Sequence, residues 1–326
     1  MAQLSMQDII LFIGAIGVAL VLINMYFKVA DRFNIIDKPN ERSSHSTITI
    51  RGAGTIFPIM AVVALIVSQG QLPYLTAGLF LIGTIGFIDD MLDLSARVRV
   101  LVQLGALTLM FMETSMFSNA MGVVLIVGLY IFVMGLINAY NFMDGINGIT
   151  GLYTLSILLP FYLLFKGEQV LSQELFFGVV AASVAFLFYN LRKKARCFLG
   201  DVGSVSIALL VSYIIVSISI QEGHWYYFAL MSLYGVDSIL TIAHRLIRKQ
   251  NIFKAHRFHL YQLLANEEKW PHARVSLLYA FLQTLLNIVL LKLPEESRWN
   301  FAILSVLVLS IAYLVTKSKL IKKHRI

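Results

Sequence analysis

Charged residues are scarce in this chain of 326 residues, and cysteine is almost absent. Only 13% of the residues are charged and 58% are hydrophobic, whereas a soluble domain has about one quarter of its residues charged. This balance excludes a soluble domain and indicates an integral membrane protein. The single cysteine, Cys197, cannot form a disulfide within the chain. The sequence also lacks internal repeats and low-complexity tracts.

Long apolar runs make up most of the chain. A transmembrane helix needs about 20 mostly apolar residues, and we count eleven candidate segments. They lie at about residues 10–27, 53–69, 72–89, 99–115, 121–138, 149–165, 174–190, 204–220, 224–243, 274–292 and 299–316. No basic residue precedes the first segment, so we expect a membrane helix there and not a cleaved signal peptide. The sequence therefore predicts an all-α integral membrane protein with one polytopic domain over residues 1–326.

The basic residues are distributed unevenly between the two sides of this arrangement. Of the 26 lysines and arginines, all but Lys166, Lys292 and Arg298 fall in alternate loops or in the C-terminal tail. The positive-inside rule makes that side cytoplasmic, which places the N terminus outside and the C terminus inside. The net charge of +8 then reflects topology and anionic lipid, with no nucleic-acid partner. The predicted cytoplasmic active-site loops lie at about residues 28–54, 89–99, 138–149, 191–204 and 244–274.

Carboxylates are clustered in these loops. Asp89, Asp90 and Asp93 follow the third segment, and on a helix they would share one face. Because adjacent like charges repel, a divalent cation, or a cation with phosphate, would relieve the cluster. A solvated helix end paired with nearby arginines is the alternative interpretation. Asp201 lies close to a predicted helix start, where it could either ligate a metal beside phosphate or act as the N-cap.

The third cytoplasmic loop repeats an amide or an acid at every third residue, at Asn138, Asn141 and Asp144. At about 100° per residue, these three side chains fall on one face of a helix. Their oxygens are hard ligands of the kind that Mg²⁺ prefers. Gly145 and Gly148 are expected to leave the backbone open for a bulky ligand. Helix capping would explain one of these polar residues but not the series.

Basic residues and histidines are found in the first and last of these loops. The first loop offers Lys38, Arg42, His45 and Arg51, which could contact either phosphate or lipid headgroups. Gly52 and Gly54 follow and allow a close approach of the backbone. In the last loop His256 and His259 flank Arg257, and this set could bind a diphosphate. Zinc and a plain basic surface are the alternatives for that loop.

The order of these motifs resembles one family. It consists of an aspartate pair after the third segment, NxxNxxDGxxG after the fifth, GDxGS before the eighth and a His/Arg loop after the ninth. This order is similar to that of the polyprenyl-phosphate N-acetylhexosamine-1-phosphate transferases, glycosyltransferase family 4, which are related to the phospho-N-acetylmuramoyl-pentapeptide transferases. The stretches DKPNERSSH and AHRFHLYQ resemble the branch that initiates O-antigen and capsule. Leu94 stands where the muramoyl-pentapeptide branch usually has lysine, and Asn147 replaces a common aspartate.

The resemblance implies a reaction and a location. A UDP-N-acetylamino sugar would donate its sugar-1-phosphate to undecaprenyl phosphate, with release of UMP, as the first step of cell-surface polysaccharide synthesis. The cofactor would be Mg²⁺, for which Mn²⁺ can substitute. The enzyme would lie in the bacterial inner membrane, surrounded by membrane lipid, with its active site on the cytoplasmic face, and would form a homodimer. Direct attack and double displacement through an aspartate are both open.

The residues predicted for this chemistry form three sets. The catalytic candidates are Asp89, Asp90, Asp144 and Asp201. The metal-binding candidates are Asp201 and Asn141. The substrate-binding candidates are Asn138, Asn147, Phe198, His256, Arg257, His259, Lys38, His45 and Arg51. Within the last set, the resemblance implies that the His/Arg loop holds the diphosphate and that Phe198 stacks on uracil, while Asp144 and Asn147 face the nucleotide.

A different class of protein would use some of the same residues. A transporter or lipid flippase for an anionic substrate would need Asp237 as an intramembrane coupling site, because Asp237 is the main acidic residue inside a predicted span. Otherwise we expect Asp237 to pair with a neighbouring arginine or to support the active site from behind. An inactive scaffold would leave the acid clusters unexplained.

Overall fold

The structure, a computed structural model, describes residues 5–37, 48–92, 94–114, 116–117, 122–165, 170–251 and 257–324. Within these ranges the chain is almost wholly helical, which confirms the all-α class. The helices are α1 (Met6–Phe33), α2 (Ile56–Val67), α3 (Pro73–Leu92), α4 (Ala96–Glu113), α5 (Val123–Met143), α6 (Ile149–Leu164), α7 (Gln173–Asn190), α8 (Gly200–Glu222), α9 (Ser232–Ile247), α10 (Leu260–Asn266), α11 (His272–Lys292) and α12 (Glu295–His324). Two 3-10 helices, Ala53–Thr55 and Trp225–Met231, lead into α2 and α9.

The eleven predicted segments all coincide with helices. Eight helical stretches of the described residues are long and apolar enough to cross a membrane: Met6–Phe33, Pro73–Leu92, Val123–Met143, Gln173–Asn190, Gly200–Glu222, Trp225–Ile247, His272–Lys292 and Glu295–His324. The stretches Ala53–Val67 and Ile149–Leu164 are apolar but shorter, and α4 carries Arg97, Arg99 and Glu113. The number of crossings and the orientation therefore stay predictions.

Helix α8 lies at the centre of the molecule. Of its most apolar 18-residue window, 94% is buried, against 17% for the windows of α1 and α12. It packs against α3 and α5 and also contacts α2. Two of its buried serines, Ser206 and Ser212, donate to carbonyls of their own helix, those of Val202 and Ala208, at 2.7 Å. The first turn of this central helix is therefore held firmly by its neighbours.

Glycines allow the first cytoplasmic loop to lie directly against the start of α8. A side chain at Gly54 would overlap the backbone of Gly203, and a Cβ at Gly200 would lie only 2.9 Å from the Cα of Gly52. Gly52 and Gly200 also have φ of 80° and 76°, which other residues rarely adopt. The amide of Gly54 donates to the carbonyl of Leu199 at 2.9 Å. The close approach expected at Gly52 and Gly54 is confirmed.

A short antiparallel pair completes this loop. Strand β1 (Ile36–Asp37) pairs with β2 (Thr49–Ile50), with Ile36 opposite Ile50. The amide of Phe198 donates to the carbonyl of Ile50 at 2.7 Å. The segment that precedes α8 is thereby joined to the strand that precedes Arg51.

Candidate active site

The start of α8 is capped by a side chain from another helix. Asp90, near the end of α3, accepts hydrogen bonds from the backbone amides of Asp201 at 3.0 Å and Val202 at 3.4 Å. The N-cap residue of α8 is Leu199, whose side chain makes no capping hydrogen bond. The interpretation of Asp201 as the N-cap is therefore wrong. Asp201 lies in the first turn, and Asp90 satisfies the amides that are exposed there.

One arginine bridges the two carboxylates. The Nε atom of Arg51 lies 2.7 Å from Oδ1 of Asp90, and its Nη2 atom lies 3.3 Å from Oδ1 of Asp201. The side chain of Asp90 is fully buried, while that of Arg51 is 35% exposed. Although burial opposes its charge, the neighbouring Asp90 and Asp201 raise the pKa of Arg51. A permanent positive charge therefore lies at the start of α8.

Asn141 brings the end of α5 to the same place. Its Nδ2 atom lies 3.4 Å from Oδ2 of Asp201, and its Oδ1 atom accepts a hydrogen bond from Ser204 Oγ at 3.0 Å. A half-turn of the amide would exchange its oxygen and nitrogen, and the hydroxyl of Ser204 can accept as well as donate. The pocket therefore also admits Asn141 with its oxygen beside Asp201.

These two residues fit a magnesium ion that shares its coordination with a substrate. Among the residues that the structure describes, no group of three or more His, Cys, Asp or Glu side chains could hold a metal ion. Mg²⁺, however, is usually held by one or two carboxylates, with water and substrate phosphates as its other ligands. Asp201 and Asn141 supply hard oxygen donors of this kind. We therefore judge the donor set suitable for Mg²⁺ bound together with phosphate.

Asp89 has partners different from those of Asp90. Its Oδ1 atom accepts from the amide of Leu94 at 2.7 Å, and its Oδ2 atom accepts from Arg99 Nη1 at 2.8 Å. The pairing of a carboxylate with a nearby arginine, which the alternative interpretation predicts, is thus present for Asp89. The charge of Asp89 nevertheless acts on Asp201 as well. Asp93 lies outside the described residues.

Asp144 lies one residue beyond α5, so the predicted helical face ends before it. Its Oδ1 atom accepts a hydrogen bond from Thr150 Oγ1 at 2.7 Å. Burial raises the pKa of Asp144 to about 7, the hydrogen bond from Thr150 and the charge of Arg51 oppose the rise, and the charge of Asp201 adds to it. The protonation of this carboxyl is therefore sensitive to any charge that binds nearby.

The other two asparagines predicted to meet substrate have partners within the protein. Asn138 is exposed and donates its amide to the carbonyl of Met134 on its own helix at 2.9 Å. Asn147 is buried, and its side-chain amide donates to the carbonyl of Arg192 at 2.8 Å. Helical spacing placed Asn138 and Asn141 on neighbouring positions, yet only Asn141 is turned towards Asp201. Substrate contacts of Asn138 and Asn147 stay predictions.

The space beside Gly145 and Gly148 is filled by the protein. A side chain at Gly145 would overlap the hydroxyl of Tyr261, and one at Gly148 would overlap the side chain of Leu191. Gly148 also has φ of 82°. The expectation that these glycines leave room for a bulky ligand is therefore wrong. They make room for two side chains of the same chain.

The predicted diphosphate-binding loop is divided between exposed and enclosed residues. Arg257 is exposed, whereas His259 is only 1% exposed and places Nδ1 at 3.2 Å from Oδ1 of Asp237. The expected arginine partner of Asp237 is thus a histidine. His256, Lys38 and His45 lie outside the described residues. Diphosphate binding stays a prediction for Arg257, while the structure gives His259 a contact inside the protein.

Several residues of the site were not singled out from the sequence. Ser204 carried a signal, because it follows Asp201 by three residues and therefore lies on the same face of a helix. Thr150 and Tyr261 meet their partners only through the fold. Phe198, which was singled out, is half-buried, and its carbonyl accepts from the amide of Ala53 at 3.0 Å. Its stacking on uracil stays a prediction.

The chain is similar in sequence to known proteins. Residues 72–219 match the model of glycosyl transferase family 4, and this stretch contains Asp90, Asn141 and Asp201. The chain is 25% identical over 277 residues to the probable undecaprenyl-phosphate N-acetylglucosaminyl 1-phosphate transferase of Bacillus subtilis (strain 168). The aligned stretch covers 78% of this chain and 76% of that protein. The chain is also 25% identical over 291 residues to the undecaprenyl-phosphate alpha-N-acetylglucosaminyl 1-phosphate transferase of Yersinia pestis, with 81% and 78% covered.

A relative from a second branch gives a similar result. The chain is 27% identical over 233 residues to the phospho-N-acetylmuramoyl-pentapeptide-transferase of Thermotoga neapolitana, which covers 66% of this chain and 76% of that protein. Of the residues that meet at the start of α8, the family match includes Asp90, Asn141 and Asp201. The chain is therefore similar to glycosyl transferase family 4 over residues 72–219, and over 66–81% of its length to transferases of the two kinds named above.

Proposed function

We propose that the enzyme transfers an N-acetylated amino-sugar-1-phosphate from a UDP-sugar to undecaprenyl phosphate. The observation that carries this proposal is the meeting of Asp201, Asn141 and the bridging Arg51 at the start of α8. Carboxylate and amide oxygens suit a metal-bound diphosphate, and the guanidinium suits a second phosphate. The relatives from Bacillus subtilis and Yersinia pestis, which are undecaprenyl-phosphate N-acetylglucosaminyl 1-phosphate transferases by name, support the same lipid acceptor and the transfer of an N-acetylamino-sugar 1-phosphate.

The product would be a lipid-diphosphate-linked sugar that starts a cell-surface polysaccharide such as O-antigen or capsule. The stretches DKPNERSSH and AHRFHLYQ favour this branch. The distribution of lysine and arginine favours an active site on the cytoplasmic face of the inner membrane. UDP-sugars are soluble, so an active site at that face would receive donor from the cytoplasm and acceptor from the membrane.

The reaction needs two anions to meet. An oxygen of the lipid phosphate attacks the β-phosphorus of the UDP-sugar, the bond from that phosphorus to the bridging oxygen breaks, and UMP leaves with the electrons of the bond. With a second pKa near 6, the lipid phosphate is mostly dianionic at pH 7, so a general base can add little. The protein is then required mainly to hold the two substrates in line and to offset their charge.

Asp201 and Asn141 would hold Mg²⁺, or Mn²⁺ in its place, and the ion would neutralise charge on the diphosphate and on the departing UMP. Arg51 would contact one substrate phosphate with the exposed part of its guanidinium while Asp90 holds the Nε side. Asp90 is engaged by two amides and this arginine, so it serves to position Arg51 and the start of α8. Asp89, which pairs with Arg99 and accepts from the amide of Leu94, is the remaining candidate for orienting the lipid phosphate.

Asp237 offers little support for a transporter or flippase. A coupling site must exchange its bound ion, and that requires access. Asp237 is 1% exposed and accepts hydrogen bonds from the amides of Leu260 and Tyr261 at 3.0 and 3.4 Å and from the hydroxyl of Tyr279 at 2.7 Å. These donors belong to the fold. We therefore assign Asp237 a structural role.

The test is a transfer assay with purified protein in detergent, undecaprenyl phosphate, Mg²⁺ and a panel of radiolabelled UDP-N-acetylamino sugars. We expect a labelled lipid and UMP in equal amounts, and we expect EDTA to abolish both. The donor that gives product identifies the sugar. A folded protein that binds undecaprenyl phosphate, takes up UDP-sugar into vesicles and yields no lipid product would contradict the proposal.

A further inference from the structure

A second buried cluster lies outside the site, around Asp237 of α9. Its carboxylate accepts from the first backbone amides of α10, at Leu260 and Tyr261, and from the hydroxyl of Tyr279 on α11. The ring of His259 lies beside the same carboxylate at 3.2 Å. Short helix α10 is thus fixed at its first turn by Asp237 of α9, which is held in turn by Tyr279 of α11.

Tyr261 extends from this fixed turn to the segment that carries Asn141 and Asp144. Its hydroxyl donates to the backbone carbonyl of Phe142 at 2.8 Å. Phe142 lies next to Asn141 and two residues before Asp144. The side chain of Tyr261 is fully buried, so its hydroxyl depends on this carbonyl for a partner.

Gly145 is the reason that this contact can form. A side chain at position 145 would overlap the Tyr261 hydroxyl. The glycine of the DG pair in the third loop therefore admits a tyrosine from the last loop. This link joins two motifs that lie more than one hundred residues apart, since Tyr261 and Phe142 are separated by 119 positions.

We propose that Tyr261, held by Asp237, is a positioning residue that fixes the end of α5 so that Asn141 faces Asp201. The last loop would in this way set the geometry of the metal-binding side chains without touching substrate. The inference rests on the proposed function, because it assigns Asn141 to the metal. It concerns the described residues of α9, α10, α11 and the end of α5.

The experiment compares Tyr261→Phe with Tyr279→Phe and with a matched control, Tyr213→Phe. Each variant removes one buried hydroxyl and keeps the ring. The control loses a comparable bond, from Tyr213 to the carbonyl of Val170 at 3.1 Å, away from the start of α8. Thermal unfolding in detergent first establishes how far each variant is destabilised, so that the readouts below are compared among folded proteins.

The first readout is amide hydrogen exchange in peptides that cover residues 138–148. We expect faster exchange there in Tyr261→Phe, a smaller increase in Tyr279→Phe and wild-type exchange in Tyr213→Phe. The second readout is Mn²⁺ binding measured by electron paramagnetic resonance without substrates. Loss of a residue that orients a metal ligand typically weakens metal affinity by about 10-fold or more, and we expect that loss in Tyr261→Phe but not in the control.

Exchange in Tyr261→Phe that matches the control would overturn the proposal. Faster exchange with the Mn²⁺ affinity of the control would also overturn it, because the link would then be structural only. Neither readout depends on turnover. Failure of every donor in the transfer assay would therefore contradict the proposed function while leaving this test intact.

Discussion

At the start of α8 and at the start of α10, a buried aspartate from a different helix accepts the first backbone amides. Asp90 does so for α8 and Asp237 for α10. In both places the carboxylate satisfies donors that a helix leaves open and lies at the positive end of the helix dipole. The local arrangement is the same, although the helices differ in length from 23 residues to 7.

The surroundings of the two aspartates differ in charge. Asp90 and Asp201 share a single bridging arginine, and the charge of Asp89 acts on Asp201 as well. Asp237 has no excess of negative charge around it, because its described contacts are backbone amides, hydroxyls and the ring of His259. Unbalanced negative charge is costly unless a cation offsets it. The comparison indicates that the start of α8 is built for a bound ligand and the start of α10 for a fixed position.

The largest effect should come from Asp201→Asn. The change keeps the shape of the side chain and removes the charge that the proposed metal needs, so we expect transfer activity to fall by about 1,000-fold, which corresponds to roughly 4 kcal/mol in transition-state free energy. Stability should not fall, because one of several mutually repelling carboxylates is neutralised. The measurements are the transfer assay and thermal unfolding in detergent.

Asp144→Asn is the control for that result. It neutralises a nearby carboxyl that burial already disposes to protonation near pH 7, so we expect activity to be retained. Activity that survives in Asp201→Asn and disappears in Asp144→Asn would contradict the metal assignment and reverse the roles of the two residues.

The second largest effect should be a loss of stability on substitution of Asp237. Asp237→Ala leaves two amides and a tyrosine hydroxyl without their buried acceptor, and we expect a loss of roughly 3 kcal/mol in the free energy of unfolding. The matched control is Asp8→Ala, which removes a half-buried aspartate that accepts from the amide of Ser5 at the start of α1 and from the side-chain amide of Gln173. We expect about 1 kcal/mol or less there. If thermal unfolding showed equal losses of unfolding free energy in the two variants, the burial of Asp237 would contribute nothing to stability.

The third effect concerns the contact of Arg51 with both Asp90 and Asp201. Arg51→Lys keeps the charge but replaces a planar fork by a single ammonium group, which cannot meet Asp90 and Asp201 in the same geometry. We expect a fall in activity of about 10-fold or more. Arg99→Lys is the matched change on the pair with Asp89. If both variants lose activity equally, the bridge has no special role at the start of α8.

Apolar length is a local property, and for that reason the sequence predicted the helices well. Each of the eleven segments falls on a helix, because some 20 apolar residues can satisfy their backbone in a membrane only as a helix. The motifs also predicted which residues meet: Asp90, Asn141 and Asp201 are separated widely in the chain and lie together in the fold.

The rest depended on distant partners. Periodicity placed Asn138 and Asn141 on one helical face, but it could not tell that only Asn141 has a carboxylate of α8 opposite it. Gly145 suggested an open space, and the occupant proved to be Tyr261 from the last loop. The capping of α8 by Asp90 has no local signature at all, because the capping residue is 111 positions away.

The smallest effect is expected from Arg99→Gln, which tests the role of Asp89 in the acid cluster. The pair of Arg99 with Asp89 joins an arginine that is 40% exposed to an aspartate that is 6% exposed, and an ion pair with one exposed partner contributes about 1 kcal/mol. Thermal unfolding should therefore change little. Loss of the arginine leaves Asp89 with more negative charge beside Asp201, so we expect the Mg²⁺ concentration for half-maximal activity to change rather than stability. If the free energy of unfolding instead fell as much as in Asp237→Ala, Asp89 would have a structural role like that of Asp237. The acid cluster at the start of α8 would then consist of Asp90 and Asp201.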